Sequence, residues 1–176
     1  MRKNRGFTLI EMLVVTAIIG ILSGIVLVSI NSARQKTRDA VRLADMRNIQ
    51  LALDAYLLDN GAYPGNSDND CSGWDGGWSA GAAAGDAFIQ PLQTGGYMSR
   101  VPIDATATGA CTGYRYYRYT AGTNGCDPAR GAYYVLAVFN METSSNPHPA
   151  SPGWSCSTRD WQYGFDNLEW VTGKFE

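Results

Sequence analysis

Histidine and closely paired cysteines are almost absent from this sequence of 176 residues. His148 is the only histidine, and no two of the four cysteines stand in a C-x-x-C arrangement. The metalloprotease pattern H-E-x-x-H and the phosphate-loop pattern G-x-x-x-x-G-K-[ST] are absent as well. These absences exclude the zinc-ribbon, zincin and P-loop classes that such motifs mark. The sequence marks no catalytic residue and no metal ligand, and we expect a protein that is not an enzyme.

Basic residues are also scarce beyond the first six positions. Of the 14 Lys and Arg residues, three lie at Arg2, Lys3 and Arg5, so 11 remain against 16 acidic residues. A surface that binds nucleic acid needs clustered Lys and Arg to displace counterions from the phosphates. The acidic body therefore does not indicate a nucleic-acid partner.

Apolar residues are concentrated at residues 7–30, a run in which Glu11 is the only charged side chain. As a helix that rises about 1.5 Å per residue, this run is about 36 Å long and can cross a bilayer core. A secretory signal peptide has a shorter apolar region followed by a small-residue cleavage site, and no such site ends this run. We expect a membrane-spanning helix that remains part of the protein.

The orientation of this span does not follow from charge alone, because basic residues flank both of its ends. They are Arg2, Lys3 and Arg5 before the span and Arg34, Lys36 and Arg38 after it. All four cysteines follow the span, and disulfides form in oxidising compartments. We therefore expect a single pass through the inner (cytoplasmic) membrane, with the C-terminal part outside the cytoplasm.

Residues 31–60 contain neither Pro nor Gly and continue the helix. Apolar residues recur at helical spacing, which predicts an amphipathic helix with the charged residues on its other face. The apolar set is Leu43, Met46, Ile49, Leu53, Tyr56 and Leu57, and the polar set includes Arg42, Asp45, Arg47 and Asp54. Gly61, followed by Pro64, predicts the end of a single helix of about 54 residues, roughly 80 Å long.

Residues 61–176 are predicted to form a globular head. A Gly-rich loop with a short helix near Asp86–Gln93 precedes two strands, at Tyr114–Thr120 and Ala132–Phe139, which are rich in β-forming residues. A third strand is expected at Leu168–Thr172. These elements predict an α+β fold in which an antiparallel sheet packs on the long N-terminal helix.

The cysteines that follow the span, Cys71, Cys111, Cys126 and Cys156, predict two disulfides, and four cysteines allow three pairings. If the two clearest strands pair antiparallel, Cys111 and Cys126 lie at opposite ends of the ladder. This arrangement favours Cys111–Cys156 with Cys71–Cys126. A compact loop closed by Cys111–Cys126 remains an alternative if the strand is shorter.

The opening residues GFTLIEMLVVTAIIGILSGIV closely resemble the class III signal of type IV pilins and secretion-system pseudopilins. The matching features are the basic residues before Gly6, Phe7 directly after it, Glu11 four residues later and an uninterrupted apolar helix. The resemblance implies a leader at residues 1–6 that a prepilin peptidase removes between Gly6 and Phe7. It also implies methylation of the new amino group of Phe7.

For Glu11, we expect a charge pair with the amino terminus of Phe7 on an adjacent subunit, which sets the axial register of assembly. Cleavage creates that amine, so processing and assembly are coupled. The resemblance implies a cell-surface or periplasmic filament of many copies, built by pilus or secretion machinery.

A looser resemblance to major pseudopilins and small pilins covers residues 49–120, in LDAYLLDNGAYP, GYMSRVPIDA and YRYYRYT. The chain departs from the pseudopilin pattern after Asp104, where Ala105 follows in place of the expected Pro-Trp-Gly. The choice between pilus and secretion pseudopilus therefore stays open. A third hypothesis is a membrane-anchored binding domain that uses the leader only as an anchor.

Three features of the head have alternative interpretations. Asp68, Asp70, Ser72 and Gly73 match the first half of a calcium loop, but Ser79 stands where a bidentate Glu is needed, so a solvated acidic turn is favoured. The five tryptophans all lie in the head, where they either fill a core or contact partners, and core packing is favoured. Likewise, the Tyr and Arg residues of YRYYRYT form either an exposed cation–π ladder or a partly buried strand.

Overall fold

The computed structural model of the chain describes residues 6–66, 69–83, 85, 87–143, 146–164 and 166–176, with residues 25–28 described by their backbone alone. The basic residues Arg2, Lys3 and Arg5 lie outside the described residues, as does Asp68 of the acidic turn. Within the described residues, one long helix leads into an α+β head, as the sequence predicts.

Helix α1 spans Leu9–Asn60 without interruption and, at 52 residues, is about 78 Å long. It begins after Thr8, whose side chain accepts a hydrogen bond from the backbone amide of Glu11. It ends at Gly61, which has a φ of 73° and donates its amide to the carbonyl of Leu57. Glycine is favoured at such a left-handed cap because it has no Cβ. The prediction of one continuous helix is confirmed.

The head is built on a four-stranded antiparallel sheet in the order β1-β2-β3-β6. The strands are β1 (Asp75–Gly77), β2 (Tyr114–Tyr119), β3 (Tyr133–Val138) and β6 (Trp170–Phe175), and β4 (Ser155–Cys156) with β5 (Arg159–Asp160) forms a separate hairpin. The bounds of β2 and β3 agree with the predicted strands to within one residue at each end, because Tyr dominates β2 and Tyr and Val dominate β3. The third predicted strand begins two residues later, at Trp170.

Strand β1 was not predicted, because the sequence Asp-Gly-Gly has little β propensity. It pairs with the start of β2, where Gly77 lies opposite Tyr114. A Cβ on Gly77 would lie 2.9 Å from the ring of Phe88 and 3.1 Å from Cβ of Tyr114. The close approach of these side chains therefore requires glycine at this edge of the sheet.

Both faces of the sheet are buried. One face packs against α1 through Met46, Ile49 and Leu53, which are fully buried. Loop segments and aromatic residues cover the opposite face, with Trp161 fully buried among them. Two short helices, α2 (Ser79–Ala83) and α3 (Gln90–Thr94), complete the head. The helix expected near Asp86–Gln93 corresponds to α3, four residues further along, and Asp86 lies outside the described residues.

The two disulfides join Cys71 to Cys111 and Cys126 to Cys156. The favoured pairing, Cys111–Cys156 with Cys71–Cys126, is wrong, and so is the alternative Cys111–Cys126. As expected, Cys111 and Cys126 lie at opposite ends of β2. The sequence did not show which chain segment lies beside each end of β2.

Short unpredicted elements supply those two segments. Backbone hydrogen bonds close a tight turn between Cys71 and Trp74 just before β1. The Cα of Cys71 lies 5.0 Å from that of Cys111, which precedes β2. At the other end of β2, the amide of Thr158 donates to the carbonyl of Asn124, and this contact holds the β4–β5 hairpin beside Cys126. Each cysteine therefore pairs with the one at its own end of the sheet.

The aromatic residues of the head serve mainly as core. Trp74, Trp161 and Trp170 are buried, whereas Trp78 and Trp154 are half-buried. Tyr114 and Tyr116 of β2 point toward α1, and Tyr119 points to the other face. Arg115 is buried with its guanidinium 4.4 Å from the ring centre of Phe139, so the buried alternative holds for this strand.

Candidate assembly helix and its attachment to the head

The first part of α1 leaves its apolar side chains uncovered. Every residue from 7 to 24 is exposed, with Phe7 exposed by 73% and Leu9 by 79%. Among the described residues, α1 is long and apolar enough to cross a membrane. An uncovered apolar surface of this length marks contact with lipid or with other protein chains.

Gly6 and Phe7 lie in an exposed segment that precedes the helix. A Cβ on Gly6 would meet no atom within 4 Å. Packing within the chain therefore gives no reason for glycine at this position. The predicted requirement for glycine at the scissile bond rests on access by a peptidase, which needs extended backbone and little side chain.

Glu11 closes a capping box with Thr8 at the start of α1. Its Oε2 accepts hydrogen bonds from the backbone amide of Thr8 at 2.8 Å and from the Thr8 hydroxyl at 2.7 Å. The amide of Glu11 donates in return to the Thr8 hydroxyl at 3.3 Å. Such reciprocal bonds satisfy amides that lack partners in the first helical turn.

The second carboxylate oxygen of Glu11, Oε1, accepts no hydrogen bond from the residues that the structure describes. Glu11 is also the only charged side chain in the apolar run. The two carboxylate oxygens of Glu11 therefore have different roles. Oε2 caps the start of the helix, whereas Oε1 remains available to a cation from elsewhere.

The head is attached to α1 through a buried charge cluster around Arg42. The Arg42 guanidinium donates to Asp39 at 2.7 Å, to Asp104 at 2.9 Å and to Glu142 at 3.0 Å. Arg42, Asp39 and Asp104 each have side chains only 4% exposed. Arg38 adds an ion pair to Glu142 at the edge of the cluster.

Asp39 connects this cluster to the backbone of the head. Its carboxylate accepts hydrogen bonds from the backbone amides of Glu142 at 3.0 Å and Thr143 at 2.8 Å, and from the Thr143 hydroxyl. Burial alone would raise the pKa of Asp39, but these hydrogen bonds and the one from Arg42 lower it below its usual value. Asp39 is therefore ionised and fastens the loop at residues 142–143 to α1.

The cluster was not predicted from the sequence, which placed Arg42 and Asp45 only outside the apolar set of the helix. Arg42 is buried, and Asp45 is half-buried with its carboxylate 2.7 Å from the Tyr114 hydroxyl. The i,i+3 spacing of Asp39 and Arg42 is a signal for a charge pair, but its burial depends on Asp104 and Glu142, which are distant in sequence.

Residues 77–81 read Gly-Trp-Ser-Ala-Gly and match the G-x-S-x-G pattern of hydrolase nucleophiles. Ser79 lies at the start of α2, and its hydroxyl donates to the carbonyl of Ala107 at 2.8 Å. A nucleophilic serine instead gives this proton to a histidine. Residues 77–81 therefore join the end of β1 to the first residues of α2.

The acidic turn is described only in part. Asp70 accepts a hydrogen bond from the indole of Trp78 at 3.1 Å. Over the stretches of chain that the structure describes, no group of three or more His, Cys, Asp or Glu side chains is arranged to hold a metal ion.

Comparison with known proteins supports the features of the N-terminal region. The family model described as the prokaryotic N-terminal methylation motif matches residues 1–27. No solved structure matches the chain.

Known relatives extend the similarity into the head. The type II secretion system core protein G of Klebsiella pneumoniae is 35% identical over 104 residues, which are 59% of this chain and 70% of that protein. The protein of the same name from Pseudomonas aeruginosa is 44% identical over 63 residues, which are 44% of its own length. The type IV wide pilus major component PilA4 of Thermus thermophilus is 38% identical over 66 residues, half of that protein.

These relatives are components of a secretion system and of a pilus, and neither kind is clearly the better match. The similarity to the Klebsiella protein covers more than two thirds of that protein, and the N-terminal methylation motif, the long helix and the disulfide-bearing head are all present. The chain therefore belongs to the family of type IV pilins and type II secretion pseudopilins.

Proposed function

We propose that the chain is a structural subunit that polymerises through α1 into a helical filament outside the cytoplasm. The observation that carries the proposal is the complete exposure of residues 7–24 in the single chain. Before assembly, lipid covers this apolar surface in the membrane. In the filament, the same surface of other copies replaces the lipid, since apolar side chains pack equally well against either.

Processing makes the precursor competent to assemble. A prepilin peptidase cuts between Gly6 and Phe7 on the cytoplasmic side and removes a leader that contains Arg2, Lys3 and Arg5. The same enzyme methylates the new amino group of Phe7. The exposure of Gly6, which lies before the start of the helix, supports this assignment.

Glu11 sets the register between subunits. Its Oε1 meets the positively charged amino group of Phe7 on the adjacent subunit while Oε2 keeps the bonds to Thr8 that begin the helix. Opposite charges in an apolar helical bundle attract strongly, and an unpaired carboxylate there is costly. A subunit whose amine is out of register therefore leaves two uncompensated charges.

The two roles of Glu11 can be separated by substitution. Glu11→Gln keeps an acceptor for Thr8 but removes the charge, and we expect a cleaved subunit whose filament yield falls at least about tenfold, as loss of an ion pair in an apolar environment implies. Thr8→Ala removes the two hydrogen bonds of the Thr8 hydroxyl but keeps the amide bond and the carboxylate, and it serves as the matched control with near-normal yield. Yield is measured by shearing filaments from cells and quantifying the subunit. Normal filaments from Glu11→Gln would sink the register role.

A membrane-anchored binding domain, by contrast, would function without Glu11. Retained function of Glu11→Gln, without any filament from the wild-type chain, would favour that interpretation.

A secretion pseudopilus is the second candidate, and the 35% identity to the Klebsiella secretion protein is the observation that favours it. Deletion of the gene separates the two candidates. Loss of surface filaments with normal protein secretion indicates a pilus subunit. Accumulation of exported proteins behind the outer membrane indicates a secretion pseudopilin.

A further inference from the structure

Strand β6 is one of the two outermost strands of the head sheet, and its backbone hydrogen bonds alternate in direction. The amide of Glu176 donates to the carbonyl of Ala132, so these two residues form a hydrogen-bonded pair at the end of the β3–β6 ladder. Such pairs alternate with pairs whose backbone groups point away from each other. From the register, Lys174 therefore bonds to β3, whereas the N–H and C=O groups of Gly173 and Phe175 face outward.

Only part of this outer edge is covered by the head itself. The backbone of Val171, which faces outward by the same alternation, bonds to the Ser151 hydroxyl through its N–H at 3.0 Å and its C=O at 3.4 Å. Further along the strand, the outward groups of Gly173 and Phe175 form no hydrogen bond with any residue that the structure describes. A row of unpaired backbone groups on a sheet edge is a template for an added strand.

The two sides of this open edge have different chemistry. Trp154 packs against Gly173, where a Cβ would overlap the indole ring, and its ring centre lies 5.3 Å from that of Phe175. Both aromatic side chains are half-buried. On the side that faces α1, Lys174 pairs with Asp54 and remains 53% exposed. An added strand would therefore meet aromatic rings on one side and a cation on the other.

A second cation lies beside the end of β6. The Arg130 guanidinium is 3.9 Å from the ring centre of Phe175. Arg130 is exposed and forms no ion pair within the part of the chain that the structure describes. The neighbouring Arg118 and Glu176 compensate each other in an ion pair. The open edge therefore has a positive charge beside it that the described head leaves uncompensated.

We propose that this edge binds an extended segment of another protein, which adds a fifth strand to the head sheet. The outward N–H and C=O groups require that the partner's backbone be a β-strand. The side-chain alternation of a strand then sets its pattern, with apolar residues opposite Gly173 and Phe175 and an acidic residue opposite Lys174. This inference goes beyond the proposed function and does not depend on polymerisation of α1, because the edge belongs to the head.

Pairing of two β6 edges from two copies of this chain is unfavourable. Both open positions of each copy are used only if the strands pair antiparallel with Gly173 opposite Phe175. In that register Lys174 faces Lys174 of the other copy, and like charges directly opposite each other destabilise a strand pair. Charged residues, lysine above all, protect natural sheet edges from self-association in this way. The edge therefore favours a strand of opposite charge.

Hydrogen exchange in the full chain, measured by NMR in detergent micelles, tests whether the edge is open. The amides of Gly173 and Phe175 should exchange at least about tenfold faster than those of Thr172 and Lys174, which bond to β3. Equal protection of all four amides would show that the edge is already covered and would overturn the proposal.

Peptide binding tests the partner. The probe is the synthetic peptide Thr-Val-Glu-Val-Thr, which reads the same in both directions, and the matched control is Thr-Val-Lys-Val-Thr. The acidic peptide should slow exchange of the Gly173 and Phe175 amides and should bind at least about threefold more tightly than the control. No slowing, or equal affinity of the two peptides, overturns the proposal. Slowing that appears without peptide as the chain concentration rises identifies a second copy as the occupant instead.

Substitution of Phe175 connects binding to the outward hydrogen bonds. Phe175→Pro removes the outward N–H and leaves the bonds to β3 in place, and an edge strand tolerates proline in this orientation. Phe175→Leu removes the same ring but keeps the N–H, so it is the matched control. The proline variant should bind the acidic peptide at least about threefold more weakly than the leucine variant. Equal binding by the two variants contradicts the added strand.

Charge reversal gives a test that does not depend on proline. Lys174→Glu changes an exposed side chain, and it should reverse the preference, so that the lysine peptide binds more tightly than the acidic one. A variant that still prefers the acidic peptide would show that the residue opposite Lys174 does not select the partner, and the proposal would fail.

Discussion

Arg42 shows how a single side chain fixes the position of the head on the helix. Its guanidinium contacts carboxylates from α1, from the loop after Ile103 and from the loop after Met141. Burial of such a charge is unfavourable unless every partner is in place. Three chain segments must therefore come together before any one of these groups is compensated.

Arg42→Met should destabilise the head by about 3–5 kcal/mol, because it leaves buried carboxylates without a cation. The five tryptophans all lie in the head, so urea unfolding of the full chain in detergent can be followed by their fluorescence. Arg47→Met is the control on the same helix, where the side chain is exposed, and it should change stability by no more than about 0.5 kcal/mol. Equal stability of the two variants would contradict the role of Arg42.

The same cluster makes stability depend on pH. Hydrogen bonds from Arg38 and Arg42 lower the pKa of Glu142, and the pKa of Asp39 is lowered as well. Carboxyls with a lowered folded-state pKa stabilise the fold above their unfolded pKa, and this contribution is lost as the pH falls through the folded value. We therefore expect the urea concentration at the midpoint of unfolding to decrease as the pH is lowered below about 4.

Asp45 works in the opposite direction, because burial raises its pKa. The ionised form of Asp45 destabilises the fold, and protonation removes this cost as the pH falls toward the raised pKa. The stability of the wild-type chain should therefore rise slightly before the acid loss begins, and Asp45→Asn should abolish this rise. Urea midpoints between pH 7 and 3 test both effects. The acid loss should shrink in Asp39→Asn combined with Glu142→Gln, and an unchanged loss would refute the assignment.

At the scale of elements, the β4–β5 hairpin depends on the Cys126–Cys156 disulfide. The hairpin has only two residues in each strand, too few for independent stability. The bridge closes a loop with a sequence separation of 30, which by chain entropy contributes about 3–4 kcal/mol. The hairpin then covers the sheet face that holds Trp161.

The variant with Cys126→Ala and Cys156→Ala should therefore unfold at lower urea, by about 2–4 kcal/mol. The comparable variant with Cys71→Ala and Cys111→Ala, whose sequence separation is 40, should lose a similar amount. A double-alanine variant that unfolds at the wild-type midpoint would show that its disulfide does not constrain the head.

Long periodic elements were predictable from the sequence, and short ones were not. Helix α1 carries its own signals in its apolar spacing and in Gly61, and β2 is marked by its tyrosines. In contrast, β1 consists of Asp-Gly-Gly and exists only because β2 offers it a partner. The cysteine pairing was wrong for the same reason, since β1 and the β4–β5 hairpin decide which cysteines meet.

The candidate site divides in a similar way. Gly6, Phe7 and Glu11 lie in one contiguous segment, so their pattern is visible in sequence. The Arg42 cluster combines residues separated by up to 104 positions, and no local pattern reveals that they meet.

For the whole molecule, the stem and head are separable. Among the residues that the structure describes, the hydrogen bonds between α1 and the head begin at Arg38 and Asp39, and the apolar core begins at Leu43. Removal of residues 1–30 deletes the apolar run but keeps the Arg42 cluster. The truncated chain should be monomeric without detergent and unfold in one transition, as size-exclusion chromatography and urea unfolding can show. Aggregation of the truncated chain would indicate that the stem contributes to folding of the head.

The attachment of the head along α1 also determines how the subunit bears load. The contacts between the head and α1 extend from Asp39 to Leu57, parallel to the helix axis. A pull along that axis loads these contacts in shear, so they must break together, with the Arg42 cluster at one end and the apolar core along the rest. Resistance to force is set by the rate of unfolding rather than by equilibrium stability. The subunit is therefore mechanically strongest along the direction in which a filament would be stretched.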